Sequence, residues 1–180
     1  MLEDGSVYEG TARGDFKETA CEIVFNTSMT GYVEILTDPS YAGQGVVMTY
    51  PMIGNYGISR EDFESERLQP SAFIVHELSS DPSNFRCTDT IENLLKEYNI
   101  PCISGVDTRA VVKKLRESGT MRGVLTSDIG DRERLMDVIK SFRQIDLVGS
   151  VTAKQTKVYG EENTGAEIAL MDFGTKRNII

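Results

Sequence analysis

Hydrophobic and polar positions follow two different patterns along this chain of 180 residues. In the first half, short runs rich in β-branched and aromatic residues are flanked by Gly, Asp or Asn, which is typical of strands joined by turns. We therefore predict strands in the segments SVYEGTA, CEIVFNT, GQGVVMTYP and SAFIVHEL. Residues 51–70, between the last two strands, are interpreted as a loop because Gly54, Asn55 and Gly57 form turns readily.

The second half of the chain has the hydrophobic period of helices. Apolar residues recur at i, i+3, i+4 and i+7 in TDTIENLLKEYN, and either Thr88 or Asp89 is available as the N-cap. DTRAVVKKLRESG predicts a second helix, which Asp107 caps and Gly119 ends, and DRERLMDVIKSF predicts a third. The strands IPCISG and MRGVLTS separate these helices. The order, strands first and then alternating helices and strands, predicts an α/β domain.

The end of the chain indicates a second unit. A polar stretch, GSVTAKQTKVYGEENTG, precedes an apolar segment, AEIALMDFG, and then TKRNII. A strand that ends at a glycine and leads into a helix start is typical of the opening of an α/β domain. We therefore predict a first domain over residues 1–155, a linker over 156–165, and the truncated start of a second domain over 166–180.

Composition and charge exclude several classes of protein. The net charge is −9 and the isoelectric point is about 4.7, so no basic patch is expected for nucleic acid. No apolar run reaches the roughly 18 residues of a membrane span, and the N-terminus does not resemble a signal peptide. The cysteines Cys21, Cys87 and Cys102 form no CxxC motif and are expected to be small buried residues of a cytoplasmic protein. With His76 as the single histidine, no zinc site is expected.

The residues alone offer three kinds of candidate chemical site. A hydrolase would need Ser40 or Ser28 together with His76, but no G-x-S-x-G elbow occurs, and His76 inside FIVHEL favours a structural role. No glycine-rich stretch matches a phosphate-binding loop. Paired carboxylates could be drawn from Asp38 with Glu34 or from Asp62 with Glu64. The acid-rich segment REDFESER is, however, more simply a solvated face.

The stretch from residue 26 to residue 44, NTSMTGYVEILTDPSYAGQ, has two acids, no base, and many hydroxyl, amide and glycine groups. Such groups suit a neutral or zwitterionic ligand, because each donates a hydrogen bond without adding a charge. A structural interpretation is equally open: Asp38-Pro39-Ser40 has good turn chemistry, and Asn26 or Thr27 could cap the local backbone. Local chemistry does not decide between the two.

The residues also resemble a known family. EIVFNTSMTGYVEILTDPSYAGQ, MTYPMIGNYG, SNFR, IPCISGVDTRAVVKKLRESG and MDFGTKRNI are similar, in this order, to the small (glutaminase) subunit of glutamine-dependent carbamoyl-phosphate synthetase. The resemblance covers essentially the whole chain. It implies a layered β/β/α "swivelling"-type fold for the first domain and a class I amidotransferase, with a Cys-His-Glu triad, for the second.

The resemblance also implies a function. That family releases ammonia from glutamine, and a large subunit uses the ammonia with bicarbonate and ATP-Mg to make carbamoyl phosphate for pyrimidine and arginine synthesis in the cytoplasm. The family's catalytic cysteine, histidine and glutamate lie beyond residue 180, so no catalytic residue, metal or cofactor is expected here. The serine of the DPSY block, Ser40, is expected to contact L-glutamine. Partners are then the large subunit and glutamine, with neither nucleic acid nor membrane. The alternatives are a purely structural docking module and, more remotely, an independent serine hydrolase.

Overall fold

The computed structural model describes residues 1–14, 16–143, 146–160, 162 and 165–180. The strands are β1 (Thr11–Arg13), β2 (Thr19–Asn26), β3 (Gln44–Met48), β4 (Met52–Ile53), β5 (Ala72–Ile74), β6 (Glu77–Leu78), β7 (Cys102–Ser104) and β8 (Met121–Leu125). The α-helices are α1 (Tyr32–Thr37), α2 (Ile91–Glu97), α3 (Thr108–Ser118), α4 (Arg132–Ser141) and α5 (Leu147–Val151). Short 3₁₀ turns span Pro39–Tyr41, Arg60–Asp62 and Arg177–Ile179.

Six of the strands form one mixed sheet in the order β1-β7-β5-β3-β2-β8. The four central strands, β7, β5, β3 and β2, pair in parallel, and the two edge strands pair antiparallel. Parallel strands need crossover connections, and these crossovers are the chain segments that cover the sheet. The strands β4 and β6 form a separate two-stranded parallel sheet.

Helices cover both faces of the large sheet. Alternate residues of β3 point to opposite sides, so Val46 packs with α1 and α2 while Val47 packs with the apolar face of α3. Helix α4 packs through Leu135 and Ile139 on Val124, a residue of β8. The predicted α/β class is therefore confirmed, while the "swivelling" label remains a prediction.

The prediction that the first half of the chain holds only strands and loops is wrong, because α1 lies within it. Five of its six residues are buried, so the segment shows no apolar stripe with a polar opposite face. It also lacks a side-chain N-cap, because Gly31 occupies that position in a left-handed conformation. With neither signal present, the hydrophobic pattern could not reveal this helix.

The other predicted elements are present with smaller differences, but SVYEGTA is a strand only from Thr11, and the pattern does not predict helix α5. Helix α3 begins after Asp107, whose carboxylate accepts from the Ala110 amide, and Gly119 follows its last residue as predicted. The N-cap of α2 is Thr90, not Thr88 or Asp89, and Asp89 instead accepts from the Thr90 amide. SAFIVHEL forms two strands in different sheets, and the loop over 51–70 contains β4 and a 3₁₀ turn.

The apolar segment near the C-terminus does not form the predicted strand. Residues 166–172 have no regular secondary structure, and Ile168 and Met171 are largely exposed. A single strand without a sheet beside it leaves its backbone groups unpaired, which is why the pattern alone was not sufficient. The predicted helix start is a 3₁₀ turn, and residues 161, 163 and 164 of the predicted linker lie outside the described residues.

None of the described helices is long and apolar enough to cross a membrane.

Candidate functional site

The candidate site is built on the tight turn that follows α1. Asp38 ends the helix, and its Oδ1 accepts a hydrogen bond of 2.9 Å from the Ser40 amide. The carbonyl of Asp38 accepts from the Tyr41 amide at 3.0 Å, and Pro39 supplies the fixed φ that opens this 3₁₀ turn. The predicted turn chemistry of Asp38-Pro39-Ser40 is confirmed. Ser40 is exposed at the surface of a turn whose backbone is already fixed.

Asn26 supports the same turn from the end of β2. Its Nδ2 donates to the Tyr41 hydroxyl at 2.9 Å, and its Oδ1 accepts from the Ser28 amide at 2.7 Å. The second bond confirms that Asn26 caps local backbone. The Asn26–Ser28 pair has the same geometry as the Asp38–Ser40 pair. In each pair a side-chain oxygen accepts from the backbone amide two residues later.

The segment from Asp172 to Asn178 lies against this turn. The Nζ of Lys176 is 2.7 Å from Oδ2 of Asp38, whose side chain is only 11% exposed. The buried Glu64 forms hydrogen bonds with the two residues that follow Lys176. Its carbonyl accepts from the Arg177 amide at 2.8 Å, and its Oε1 accepts from Nδ2 of Asn178 at 3.0 Å. The carboxylates of Asp38 and Glu64 therefore hold the C-terminal segment.

Buried Thr37 connects these two carboxylates. Its hydroxyl donates to the Val33 carbonyl at 2.8 Å, inside α1, and accepts from the Glu64 amide at 2.9 Å. Asp38 is the next residue in the chain. The position of Glu64 relative to Asp38 is thus fixed by a buried hydrogen bond rather than by exposed side chains.

Gly174 brings the two segments into close contact. Its φ is +107°, and a Cβ at this position would lie 2.8 Å from Cγ2 of Val151 and 3.0 Å from Cβ of Pro39. Asp172 shapes the bend before it, since Oδ1 accepts from the amides of Gly174 and Thr175 at 2.9 and 2.7 Å. Only a residue without a side chain fits between Pro39 and Val151 without displacing one of them.

The electrostatics favour charged carboxylates in this turn. Burial disfavours the charge on Asp38, but hydrogen bonds from Lys176 and from the Ser40 amide outweigh it and lower its pKa. The same contact with Asp38 raises the pKa of Lys176. Hydrogen bonds from the Thr175 and Gly174 amides lower the pKa of Asp172. The region around Ser40 therefore presents a fixed arrangement of charges at neutral pH.

The other candidate residues do not assemble into a catalytic site. A ring nitrogen of His76 lies 3.1 Å from the Val106 carbonyl, so its contact is a backbone group and not Ser28 or Ser40. Burial raises the pKa of the Cys21 and Cys102 thiols to about 12, which keeps both protonated at neutral pH. Cys87 is half-buried rather than buried, which corrects the expectation for that thiol.

The paired-carboxylate interpretations are also not supported. Asp38 forms its ion pair with Lys176, and Asp62 lies 2.6 Å from the guanidinium of Arg86. Glu64 binds Asn178 as described above. Each predicted acid except Glu34 thus has a positive or amide partner instead of a second carboxylate.

The sequence offers Ser40, Asp38 and Glu64 as candidates, but it does not predict Lys176 or the contact of Glu64 with Asn178. Lys176 and Glu64 form contacts between segments that are far apart in the chain, and no local hydrophobic periodicity predicts such contacts. The available signal is the motif MDFGTKRNI, which contains both Lys176 and Asn178.

Comparisons with known proteins agree on one family. Residues 1–125 match the family model described as "Carbamoyl-phosphate synthase small chain, CPSase domain". The chain is 47% identical over 181 residues to the carbamoyl phosphate synthase small chain of Clostridium perfringens, covering 100% of this chain and 51% of that protein. It is 47% identical over 184 residues to the small chain of Archaeoglobus fulgidus, covering 99% and 51%. The chain spans about half the length of the curated relatives it matches.

Proposed function

The chain belongs to the family of carbamoyl-phosphate synthase small chains, and from this membership we propose that it is the N-terminal part of a subunit that hydrolyses glutamine. The ammonia released would pass to a larger subunit, which uses ATP, Mg²⁺ and bicarbonate to make carbamoyl phosphate for pyrimidine and arginine synthesis in the cytoplasm. Within that subunit, residues 1–155 dock on the larger partner and help to position glutamine. Residues 156–165 are the linker, and residues 166–180 begin the amidotransferase domain that carries the chemistry.

The contact between the Ser40 turn and the segment Asp172–Asn178 carries this proposal. The ion pair of Asp38 with Lys176 and the close approach of Gly174 to Pro39 bring the two segments together. Ser40 is then a residue of the first domain that lies at the start of the second. A substrate held by the second domain is within reach of a side chain in this position.

The chemistry of Ser40 suits the role of positioning glutamine. Its amide is already bound to Asp38, so the turn does not need to reorder when a ligand arrives. Glutamine carries a carboxylate and an ammonium group, and a hydroxyl can donate to the first or accept from the second. Ser40 supplies a hydrogen bond and no net charge, and it takes no part in bond cleavage.

One observation favours the alternative of a purely structural module. The Asp38 side chain accepts from the Ser40 amide and backbone hydrogen bonds close the Pro39 turn, and both would hold if Ser40 were only a turn residue. In that case residues 1–155 would dock the larger subunit and make no contact with the substrate. The two proposals differ in what the hydroxyl of Ser40 does.

Steady-state glutaminase kinetics of the complete subunit with Ser40→Ala separate them. A hydrogen bond to a charged group contributes about 1.5–3 kcal/mol, so we expect the KM for glutamine to rise about tenfold or more. The kcat should change little, because the contact is made equally in the ground and transition states. Ser28→Ala is the matched control, since Ser28 is also exposed and its amide also binds a side-chain oxygen two residues earlier. An unchanged KM with a lowered melting temperature would favour the structural module.

A further inference from the structure

A large cleft lies at the carboxyl ends of three parallel strands. Its volume is about 900 Å³, which is within the range of small-molecule sites. Thr49 directly follows β3, His76 follows β5 and Thr108 follows β7, and all three residues line the cleft. The other side of the cleft is formed by α3. No residue of the Ser40 turn lines it, so this cleft is a second candidate site.

The connections that leave β5 and β7 run to opposite faces of the large sheet. Helix α2 follows β5 and packs on the side of Val46, whereas α3 follows β7 and packs on the side of Val47. Because β5 and β7 are neighbours in the sheet, the diverging connections leave a crevice between the ends of the two strands. In open α/β sheets this is the place where ligands bind. The topology therefore indicates a ligand site, and the side chains indicate the kind of ligand.

The helical side of the cleft carries three cations. Arg109, Lys113 and Arg116 line it, and their spacing of four and then three residues places them on one face of α3. In the part of the chain that the structure describes, none of the three lies within ion-pair distance of a carboxylate. The chain has 28 acidic and only 19 basic residues, so three cations without an acidic partner are not expected from its composition.

Two carboxylates also line the cleft. That of Asp107 is engaged as the N-cap of α3, since it accepts from the Ala110 amide at 2.9 Å. Glu117 lies in the last turn of α3, about 13 Å along the helix axis from the capped end. The N-terminal end of the cleft is therefore cationic, and the partial positive charge of the helix N-terminus adds to the charge there.

Thr108 supplies an independent indication of a ligand. The residue is only 4% exposed and lines the cleft, yet its hydroxyl makes no hydrogen bond to a described residue. No fully buried side-chain nitrogen or oxygen of the described residues lacks a partner, so the small exposed part of Thr108 includes its hydroxyl oxygen. The backbone amide of Arg109, the next residue, also has no acceptor among the described residues. Both groups are therefore available to a ligand in the cleft.

The donors at this end of the cleft suit a phosphate group. The Thr108 hydroxyl can donate one hydrogen bond, the Arg109 guanidinium can bind two oxygens side by side, and the Lys113 ammonium adds a further donor. A phosphate monoester has three terminal oxygens and up to two negative charges, whereas a carboxylate has two oxygens and one charge. The N-terminus of a helix is also a favourable place for a phosphate. Phosphate therefore matches both the number of donors and their charge.

We propose that the cleft binds a phosphorylated small molecule, with its phosphate group at the N-terminal end of α3. Thr108 and Arg109 would hold the phosphate, and Lys113 would neutralise its charge from the next turn of the helix. The rest of the molecule would occupy the space between His76 and Arg116, which both line the cleft. The site lies within the first domain and does not depend on the function proposed above.

Calorimetric titration of the complete subunit with pyrophosphate, in the absence of divalent cations, tests this site. We expect saturable binding at one site. Arg109→Met should weaken the Kd about tenfold or more, because a hydrogen bond between charged groups is lost. The melting temperature should not change, since Arg109 is exposed. Thr108→Val keeps the buried shape and removes only the hydroxyl, and it should also weaken the Kd about tenfold.

Helix α4 provides the matched control. Like α3, it begins after an aspartate, Asp131, whose carboxylate accepts from the amide three residues later. Arg132 is exposed near the start of this helix, as Arg109 is in α3, but it does not line the cleft. Arg132→Met removes the same charge from the same kind of helix end, so the Kd should stay within about twofold of wild type.

Several results would overturn the site. If the wild-type subunit does not bind pyrophosphate, or if Arg109→Met and Arg132→Met weaken binding equally, the cleft is not a specific phosphate site. An unchanged Kd in Thr108→Val would contradict the placement of the phosphate at the N-terminal end of α3. The chain of 180 residues is titrated beside the complete subunit. If only the shorter chain binds, the rest of the subunit covers the cleft, which is then an interface within the protein. None of these results affects the test of Ser40→Ala.

Discussion

The ammonium group of Lys176 lies 2.7 Å from the carboxylate of Asp38, the residue that caps the Ser40 turn. One carboxylate thus has two partners, since its other oxygen accepts from the Ser40 amide. The position of Ser40 and the docking of the C-terminal segment are therefore coupled through a single side chain. A substitution at Lys176 should therefore alter the position of the Ser40 turn through Asp38, without a direct contact between Lys176 and Ser40.

Replacing Lys176 by methionine should loosen the C-terminal segment. Methionine keeps most of the side-chain length but leaves Asp38 without its cationic partner. Because Lys176 is 42% exposed, the pair contributes modestly, and we expect the Arg177 and Asn178 amides to exchange about five- to tenfold faster. Hydrogen exchange of the variant measures this. Lys157→Met, which removes the exposed pair with Glu66, should leave these amides unchanged.

The same ion pair should determine how Asp38 titrates. Its pKa lies below the ordinary value of 3.8, so the stabilisation it gives is complete above pH 3.8 and is lost as the pH falls through the lower, folded-state pKa. In Lys176→Met the pKa of Asp38 should rise, which moves that loss to higher pH. A carbon NMR titration of the Asp38 carboxyl group measures the change. Asp4, whose pKa is lowered by a different lysine, Lys114, should titrate identically in both proteins.

The three cysteines should react in a fixed order with a thiol reagent. Cys87 is half-buried, whereas Cys21 and Cys102 are fully buried with pKa values raised to about 12 by desolvation. At pH 8, one equivalent of label should be incorporated, at Cys87, and the other two only after denaturation. Peptide mass spectrometry identifies the labelled sites. Labelling of Cys102 under native conditions would contradict the burial described here.

The chain of 180 residues should not hydrolyse glutamine by itself. Thioester formation needs a thiolate. The two fully buried cysteines are protonated at neutral pH, and the Cys87 thiol donates to the Asp89 carbonyl, which is not a base. Ammonia release from glutamine should therefore equal that of a sample without protein. Release above this level that survives alkylation of Cys87 would indicate a different catalytic residue, and the assignment of the chemistry to the second domain would then be wrong.

Elements with local signals in the sequence could be predicted, whereas buried short helices and long-range contacts could not. Helix α3 was predicted with its cap because Asp107 and Gly119 are local signals, and each acts within a few positions of its own place in the chain. Helix α1 was missed because a short helix buried on almost all sides has no amphipathic period. The contacts of Asp38 with Lys176 and of Glu64 with Asn178 are long-range, and nothing in the local sequence specifies them.

Ser40 illustrates the limit of local chemistry. Its place in a turn followed from Asp38 and Pro39, and the hydrogen bond from its amide bears this out. Its expected contact with glutamine came from the family resemblance alone and stays a prediction. The structure adds the neighbouring segment Asp172–Asn178, which makes the substrate-positioning role testable through residues other than Ser40 itself.

Gly174→Ala tests whether close contact between the two segments matters for substrate binding. An alanine would adopt a positive φ at a cost of roughly 1–3 kcal/mol, and its Cβ would lie too close to Val151 and Pro39. The segment should therefore move away from the Ser40 turn. In the complete subunit we expect the KM for glutamine to rise and the amides of Arg177 and Asn178 to exchange faster.

A matched glycine separates the contact from the backbone strain. Gly5 also has a positive φ, +84°, but a Cβ there would have no neighbour within 4 Å. Gly5→Ala should therefore lower stability by a similar strain and leave the KM unchanged. If both variants raise the KM equally, the effect is general destabilisation. If Gly174→Ala alone raises it, and combining it with Ser40→Ala adds little further, the two residues act on one contact with the substrate, as the double-mutant cycle requires.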